Sequence, residues 1–194
     1  MSKPGIRAFI AIDLPLEVKE TLEDIQFDLL DHVSEEAVRW VKPETMHLTV
    51  RFLGDGVGPE VIPPICDRLD HIGAATPAFS LKMGQLGCFP DRRKPRVLWI
   101  GLASEDSAML RSIRRQIDEL LEPLGWDRDK RGYTPHLTLG YVQNQREVAN
   151  SKIPYGTYVT PRQWSVKKVQ LYHSQLTKQG PRYKIIHSAN LSLT

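Results

Sequence analysis

A short pattern, a histidine followed two positions later by a threonine among apolar residues, occurs twice in this chain of 194 residues. The first copy is His47-Leu48-Thr49-Val50 and the second is His136-Leu137-Thr138-Leu139, so the histidines lie 89 positions apart (136 − 47 = 89). An apolar run precedes each copy, and these runs begin at Arg7 and Arg96, which are also 89 positions apart (96 − 7 = 89). Matching order and spacing indicate that one structural unit has been duplicated.

Each unit is predicted to contain a strand, a helix and a second strand that carries the motif. Apolar runs rich in strand formers predict the strands, and apolar residues at three- and four-residue steps predict the helices. The predicted elements are 7–12, 15–32 and 46–53 in the first unit, and 96–101, 104–121 and 133–140 in the second. Further elements are predicted as a helix at 60–72 and strands at 79–83, 164–171 and 183–186, with a short extended piece at 39–44.

Alternation along the first motif strand predicts one core face and one polar face, because successive side chains of a strand point to opposite sides. The core face would carry Met46, Leu48, Val50 and Phe52, and the polar face would carry His47, Thr49 and Arg51. We expect an α+β fold in which residues 1–194 form a single domain of two pseudo-twofold lobes. Each lobe would have an antiparallel sheet covered by its own helix, and the two polar faces would meet across a cleft.

Composition is that of a soluble globular protein, with 41% hydrophobic and 25% charged residues. No apolar stretch approaches the roughly 18 residues of a membrane span. The apolar run after Arg7 is too short for a secretory signal, so we expect a cytoplasmic protein with no membrane association. A net charge of +3 mildly favours an anionic partner but is weaker than that of a dedicated nucleic-acid binder.

The paired motifs suit chemistry on a bound phosphate. A histidine can donate or accept a proton near neutral pH, and a threonine hydroxyl can donate to a phosphoryl oxygen. Hydrolysis of a cyclic phosphodiester needs a base for water and an acid for the departing ribose oxygen, and His47 and His136 can fill both roles. The sequence contains no carboxylate cluster of the two-metal type, so we expect neither a metal nor a cofactor.

The chain resembles the 2H phosphoesterases, and within them the RNA 2′,3′-cyclic phosphodiesterases, once described as 2′-5′ RNA ligases. The resemblance runs nearly from end to end. It includes the two motifs together with Arg7-Ala8-Phe9-Ile10-Ala11-Ile12, Arg39-Trp40-Val41, Phe52-Leu53-Gly54, Phe89-Pro90, Arg96-Val97-Leu98-Trp99 and Leu171-Tyr172-His173-Ser174.

The resemblance implies a role for each motif residue. His47 would protonate the leaving oxygen, His136 would activate water, and Thr49 and Thr138 would bind the phosphate. The expected substrates are RNA 3′ ends that carry a 2′,3′-cyclic phosphate, with tRNA fragments or nucleotides as candidates, and the expected product is a 2′-phosphomonoester. We expect a monomer.

Several basic and aromatic residues near the motifs have two interpretations. Arg51, Arg131 and Tyr133 could each touch phosphate or a terminal base, but Arg51 could equally be a solvated charge and Tyr133 a ring that caps the core. The densest basic run, 91–96, could meet an RNA backbone, although we favour a plain solvated loop.

Three other functions remain open on the sequence. The same cleft could join RNA halves by reversible 2′-5′ ligation, although no Gly-x-x-x-x-Gly-Lys loop for ATP is present. The protein could also bind RNA ends without turnover, an alternative that the intact motif pairs disfavour. A zinc-binding module is disfavoured because His47 and His136 have no Cys, Asp or Glu companions at ligand spacing.

Overall fold

The structure is a computed structural model that describes residues 5–104, 106–128, 132–157, 159, 162–178 and 180–193. Within these residues, nine strands and four helices follow one another. They are β1 (Ile6–Asp13), α1 (Leu16–Leu29), β2 (Val38–Trp40), β3 (His47–Val57), α2 (Ile62–Ala75), β4 (Phe79–Phe89), β5 (Val97–Leu102), α3 (Asp106–Leu121), β6 (His136–Val142), α4 (Gln145–Asn150), β7 (Gln163–Val166), β8 (Lys168–Thr177) and β9 (Gly180–Asn190). Short 3-10 helices cover Glu35–Ala37, Pro43–Thr45 and Glu122–Leu124.

The strands form one curved sheet in the order β7-β4-β5-β6-β3-β1-β8-β9, with β2 also paired to β6. All pairings between these strands are antiparallel. The α+β class is therefore confirmed. The sheets of the two halves are joined edge to edge where β3 meets β6, so the motif strands lie at the centre of the molecule.

Most predicted elements are present, but the predicted strand at 164–171 is wrong as a single element. The chain changes course at Lys167: β7 pairs with β4 at one end of the sheet, whereas β8 pairs with β1 in the other half. The apolar alternation of Trp164 and Val166 shifts by one residue at Lys167 and Lys168 before it resumes at Val169 and Leu171, a local sign of the break that the prediction overlooked. β9 also extends beyond the predicted 183–186 on both sides, because its pairing with β8 continues from Gly180 to Asn190.

The helices cross between the two halves, which corrects the expectation that each unit is covered by its own helix. In α1, the amide nitrogen of Gln26 donates at 2.8 Å to the carbonyls of Leu139 in β6 and of Val41. In α3, Arg114 donates to the carbonyl of Val50 in β3 at 2.7 Å. The helix of each unit therefore contacts the motif strand of the other. None of the helices in the described ranges is both long and apolar enough to cross a membrane.

A β-bulge in β3 reverses the predicted alternation after Val50. Thr49 is opposite Ala11 of β1, but the next paired position, Ile10, is opposite Arg51, so β3 contains one extra residue. Arg51 therefore lies on the buried side, whereas Phe52 is 55% exposed on the other side. The prediction that Arg51 shares the face of His47 and that Phe52 lies in the core is wrong.

We predict that Gln26→Leu lowers the free energy of unfolding by about 1–3 kcal/mol, because two buried carbonyls would lose a donor. Chemical denaturation measures this change, with the exposed Glu23→Leu on the same helix as the control. A change below about 0.5 kcal/mol, the usual range for a surface substitution, would contradict the structural role of Gln26.

Candidate active site

The two motif strands meet at a single pair of opposed residues, Leu48 of β3 and Leu137 of β6. Both leucines are buried, with 0% and 1% of their surface exposed. The histidines and threonines on either side of them must point to the opposite face, because side chains alternate along a strand. That face is the open face of the sheet.

The antiparallel direction arranges the four motif side chains about a local twofold axis. Starting from the central leucine pair, one step along each strand brings His47 opposite Thr138 and Thr49 opposite His136. In a regular ladder, directly opposed residues are about 4.5–5.5 Å apart, and diagonal residues such as the two histidines are about 7–8 Å apart. A phosphate group can be contacted from both strands at that spacing.

The two imidazole rings are oriented in the same way. Nδ1 of His47 contacts the carbonyl oxygen of Thr45 at 2.8 Å, and Nδ1 of His136 contacts the carbonyl oxygen of Thr134 at 2.8 Å. A carbonyl only accepts, so each Nδ1 carries the hydrogen, and in the neutral ring Nε2 keeps its lone pair. Each histidine is thus prepared to exchange a proton through Nε2.

Burial lowers the pKa of both histidines below the usual 6.5, because it disfavours the charged ring. At His47 the bond to the Thr45 carbonyl and the charge of Asp13 raise the pKa in part, whereas Lys19 and His136 lower it further. At His136 only the bond to the Thr134 carbonyl opposes burial among the described residues. The two rings are therefore close enough to influence each other and are neutral in the free protein near pH 7.

Aromatic rings surround His47. The centroid of Phe9 lies 4.8 Å from the imidazole centroid, and Tyr183 contacts the imidazole edge-on at 5.2 Å. Tyr172 is stacked at 6.4 Å, and the exposed Phe52 lies 5.8 Å from Phe9. Phe9 and Tyr172 are buried and Tyr183 is half-buried, so this aromatic surface next to the histidine is open to solvent mainly at Phe52.

A second aromatic pair contacts His136. Phe89 meets its ring edge-on at 4.9 Å, and Trp99 lies at 6.2 Å. Trp99 can lie against β4 because Gly87 has no side chain, and a Cβ there would come within 2.3 Å of the indole. Both histidines are therefore held in aromatic surroundings, which explains the desolvation that lowers their pKa values.

Arg51 belongs to a buried ion cluster behind the active site. Its Nε lies 2.9 Å from Asp118, whose other oxygen accepts from Nε of Arg114 at 2.8 Å. The side chains of Arg51 and Asp118 are only 10% and 12% exposed. Arg51 also donates to the carbonyl of Asp127. This placement removes Arg51 from the substrate-binding candidates and also excludes its reading as a solvated charge.

Tyr133 connects this cluster to the motif strand. Its hydroxyl donates to the carbonyl of Thr49 at 3.0 Å, and the guanidinium of Arg114 lies 5.4 Å from the ring centroid. Burial raises the pKa of the Tyr133 hydroxyl, which therefore stays protonated and donates. Contact with substrate stays a prediction for Tyr133, and Arg131 lies outside the described residues.

The sequence did not single out the aromatic rings at the histidines. Phe9 and Trp99 lie in runs so apolar that they read as uniform core, and Tyr172 and Tyr183 lie on strands far along the chain. The Asp118–Arg114 pair at i and i+4 resembles an ordinary helix-surface pair. Within the part of the chain that the structure describes, no group of three or more His, Cys, Asp or Glu side chains could hold a metal ion.

Comparison with known proteins identifies the class to which this fold and site belong. The profile of the family described as LigT like Phosphoesterase matches residues 12–99 and again residues 100–183. The chain belongs to this family, and the double match agrees with the duplication inferred from the spacing of the motifs.

Individual relatives are similar over nearly the whole chain. A protein of Methanocaldococcus jannaschii named RNA 2′,3′-cyclic phosphodiesterase is 31% identical over 93% of this chain and 98% of its own length. An Archaeoglobus fulgidus protein of the same name is 34% identical over 92% and 97%. The crystal structure of E. coli LigT complexed with 3′-AMP superposes with a TM-score of 0.78 at 26% identity, covering 97% of this chain and 99% of that one.

We predict that Asp118→Ala lowers the free energy of unfolding by about 3–5 kcal/mol, because it leaves two arginines buried without their carboxylate. Urea denaturation measures the loss, and Glu119→Ala, which changes an exposed neighbour on the same helix, is the control. A loss below about 1 kcal/mol would show that the cluster does not hold α3 to β3.

Proposed function

We propose that this protein hydrolyses 2′,3′-cyclic phosphates at RNA 3′ ends to 2′-phosphomonoesters, with His47 and His136 as the acid and the base. The observation that carries the proposal is the twofold arrangement of two His/Thr pairs on one sheet face, each histidine with Nε2 free to exchange a proton. The names of the relatives supply the substrate class, and the cytoplasm is the compartment that we infer for RNA-end processing.

The reaction balances with one water molecule and the two imidazoles. Nε2 of His136 accepts a proton from water, the water oxygen bonds to phosphorus, and the bond from phosphorus to the ribose 3′ oxygen breaks. Nε2 of His47 gives its proton to that oxygen. Thr49 and Thr138 donate hydroxyl hydrogen bonds to the non-bridging oxygens, where negative charge accumulates.

The assignment of the acid to His47 comes from the family resemblance, and one neighbouring carboxylate is consistent with it. The acid must begin protonated, and Asp13, paired in register with His47 on the neighbouring strand, favours the imidazolium form, whereas His136 and Lys19, which forms an ion pair with Asp13 at 2.8 Å, oppose it. No carboxylate among the described residues has this effect at His136. A bound anionic phosphodiester would raise the pKa of both rings, since an opposite charge favours the protonated state. Substrate binding would therefore favour the protonated state of both rings.

The aromatic surface beside His47 supports a nucleotide substrate. Single-stranded RNA is commonly held by bases stacked on aromatic side chains. Phe52 is 55% exposed on this surface, within 5.8 Å of the Phe9 ring that contacts His47. A base attached to the ribose of the cyclic phosphate would have a ring to stack against.

We predict that His47→Ala and His136→Ala each lower kcat on a 2′,3′-cyclic mononucleotide by about 10²–10⁴-fold, the usual contribution of a positioned acid or base. The assay contains excess EDTA and identifies the product as the 2′- or 3′-phosphate. His71→Ala is the control, because its exposed ring contacts the Asp67 carbonyl on helix α2, away from the motif strands. Loss of wild-type turnover in EDTA would contradict metal independence, and full activity of either active-site variant would contradict the mechanism.

We predict that both active-site histidines titrate below pH 6.5 in the free protein, as measured by NMR of the imidazole protons. A lowered pKa means that the unfolded chain binds protons that the folded chain does not, so stability falls as the pH drops below about 6.5. Addition of inorganic phosphate should raise the pKa of at least one ring. A titration at or above 6.5 in the free protein would contradict the buried, neutral state.

A further inference from the structure

A cavity of about 630 Å³ opens beside His136 on the half of the sheet that contains β4 and β5. Thr134 and Pro135, which directly precede His136, form part of its wall, and the Thr134 carbonyl is the group that orients the His136 ring. None of the four motif side chains lines this cavity. It is therefore a neighbour of the phosphate site and not the phosphate site itself.

One wall of the cavity is an indole next to the second motif. Trp99 lies opposite Thr138 in the sheet register, and Gly101 lies opposite His136. The Trp99 ring extends over both Gly87 and Gly101, where an added Cβ would come within 2.3 and 3.2 Å of it. The absence of side chains at these two positions leaves the ring against the sheet with room beside it, a surface on which a base can stack.

Two arginines from separate elements line the same cavity. Arg92 comes from the basic loop after β4, and its guanidinium lies 5.2 Å from the ring centroid of Tyr155. Arg111 comes from α3, and both arginines are exposed. Asp91, which also lines the cavity, accepts from the backbone N–H groups of Arg93 and Lys94. The lining therefore combines an aromatic wall with an excess of positive charge.

We propose that this cavity binds a second nucleotide of RNA, distinct from the one that carries the cyclic phosphate. Its phosphate would be bound by Arg92 and Arg111, since guanidinium groups form strong paired hydrogen bonds with phosphate, and its base would stack on Trp99. The volume is within the 300–1,000 Å³ usual for ligand pockets. This inference rests on the proposed function and adds a preference for substrates of more than one nucleotide.

The test compares kcat/KM for a trinucleotide that ends in a 2′,3′-cyclic phosphate with kcat/KM for the cyclic mononucleotide. In the double variant R92A/R111A, we expect the ratio of the two values to fall about tenfold and its salt dependence to weaken, because phosphate contacts release counterions. The matched control is R93A/R115A, which removes one exposed arginine from the same loop and one from the same helix, neither of which lines the cavity.

A second arm distinguishes the source of the nucleotide. An RNA with a free 5′-hydroxyl and no cyclic end is added as an inhibitor of mononucleotide hydrolysis. If R92A/R111A lowers the ratio of kcat/KM for the trinucleotide to kcat/KM for the mononucleotide, the cavity binds the upstream nucleotide of the same strand. If R92A/R111A instead weakens inhibition by the added RNA, the cavity binds a separate strand.

The proposal is overturned if R92A/R111A changes neither the ratio nor the inhibition, or if the control variant changes them equally. Failure of the proposed function would look different, because the wild-type protein would then turn over neither cyclic substrate.

Discussion

The pairing of β3 with β6 at Leu48 and Leu137 is the contact on which the rest of the structure depends. It joins two half-sheets into one, and it brings two motifs from distant parts of the chain onto a single face. Antiparallel pairing alone sets each histidine opposite the other motif's threonine. When a strand of this pattern is duplicated and both copies turn their apolar sides to the helices, their histidines and threonines lie together on the opposite face of the sheet.

The packing behind the sheet keeps the motif strands in that position. Helix α1 reaches across to β6 through Gln26, and α3 reaches across to β3 through Arg114 and Asp118. Each half of the sheet is therefore hydrogen-bonded to the helix of the other half. The two histidines cannot separate without breaking these buried polar contacts. A phosphate bound between an acid and a base requires this rigidity, because the rate of proton transfer falls steeply when the reacting groups are misplaced.

Much of the fold and the centre of the site could be predicted from the sequence. The repeat spacing and the alternation around Leu48 and Leu137 were sufficient to place His47, Thr49, His136 and Thr138 on one face. Arg51 was misplaced because a β-bulge depends on the pairing with β1, and no local pattern reports the insertion of a residue into a ladder. The exchange of helices is likewise a consequence of long-range packing that leaves the local periodicity unchanged, whereas the split of β7 from β8 coincides with a shift in the apolar alternation at Lys167 and Lys168.

The electrostatic character of the site follows from its aromatic surroundings. Rings such as Phe9 and Phe89 lie against the imidazoles and partly desolvate them, so the free protein favours the neutral form of both, and the charge needed for acid catalysis would arrive with the anionic substrate. The charges around the two rings differ, because Asp13 and Lys19 act on His47, whereas no charged side chain among the described residues shifts the pKa of His136. A pair that looks interchangeable in sequence thus has different electrostatic surroundings in the folded protein.

The central claim is that His47 and His136 act together on one phosphate. The most direct test is kcat for the double variant His47→Ala/His136→Ala on a cyclic mononucleotide, compared with each single variant. Residues that act as a unit are strongly non-additive, so we predict that the double variant is within about tenfold of the slower single variant. A rate reduced by the full product of the two single effects would contradict the claim.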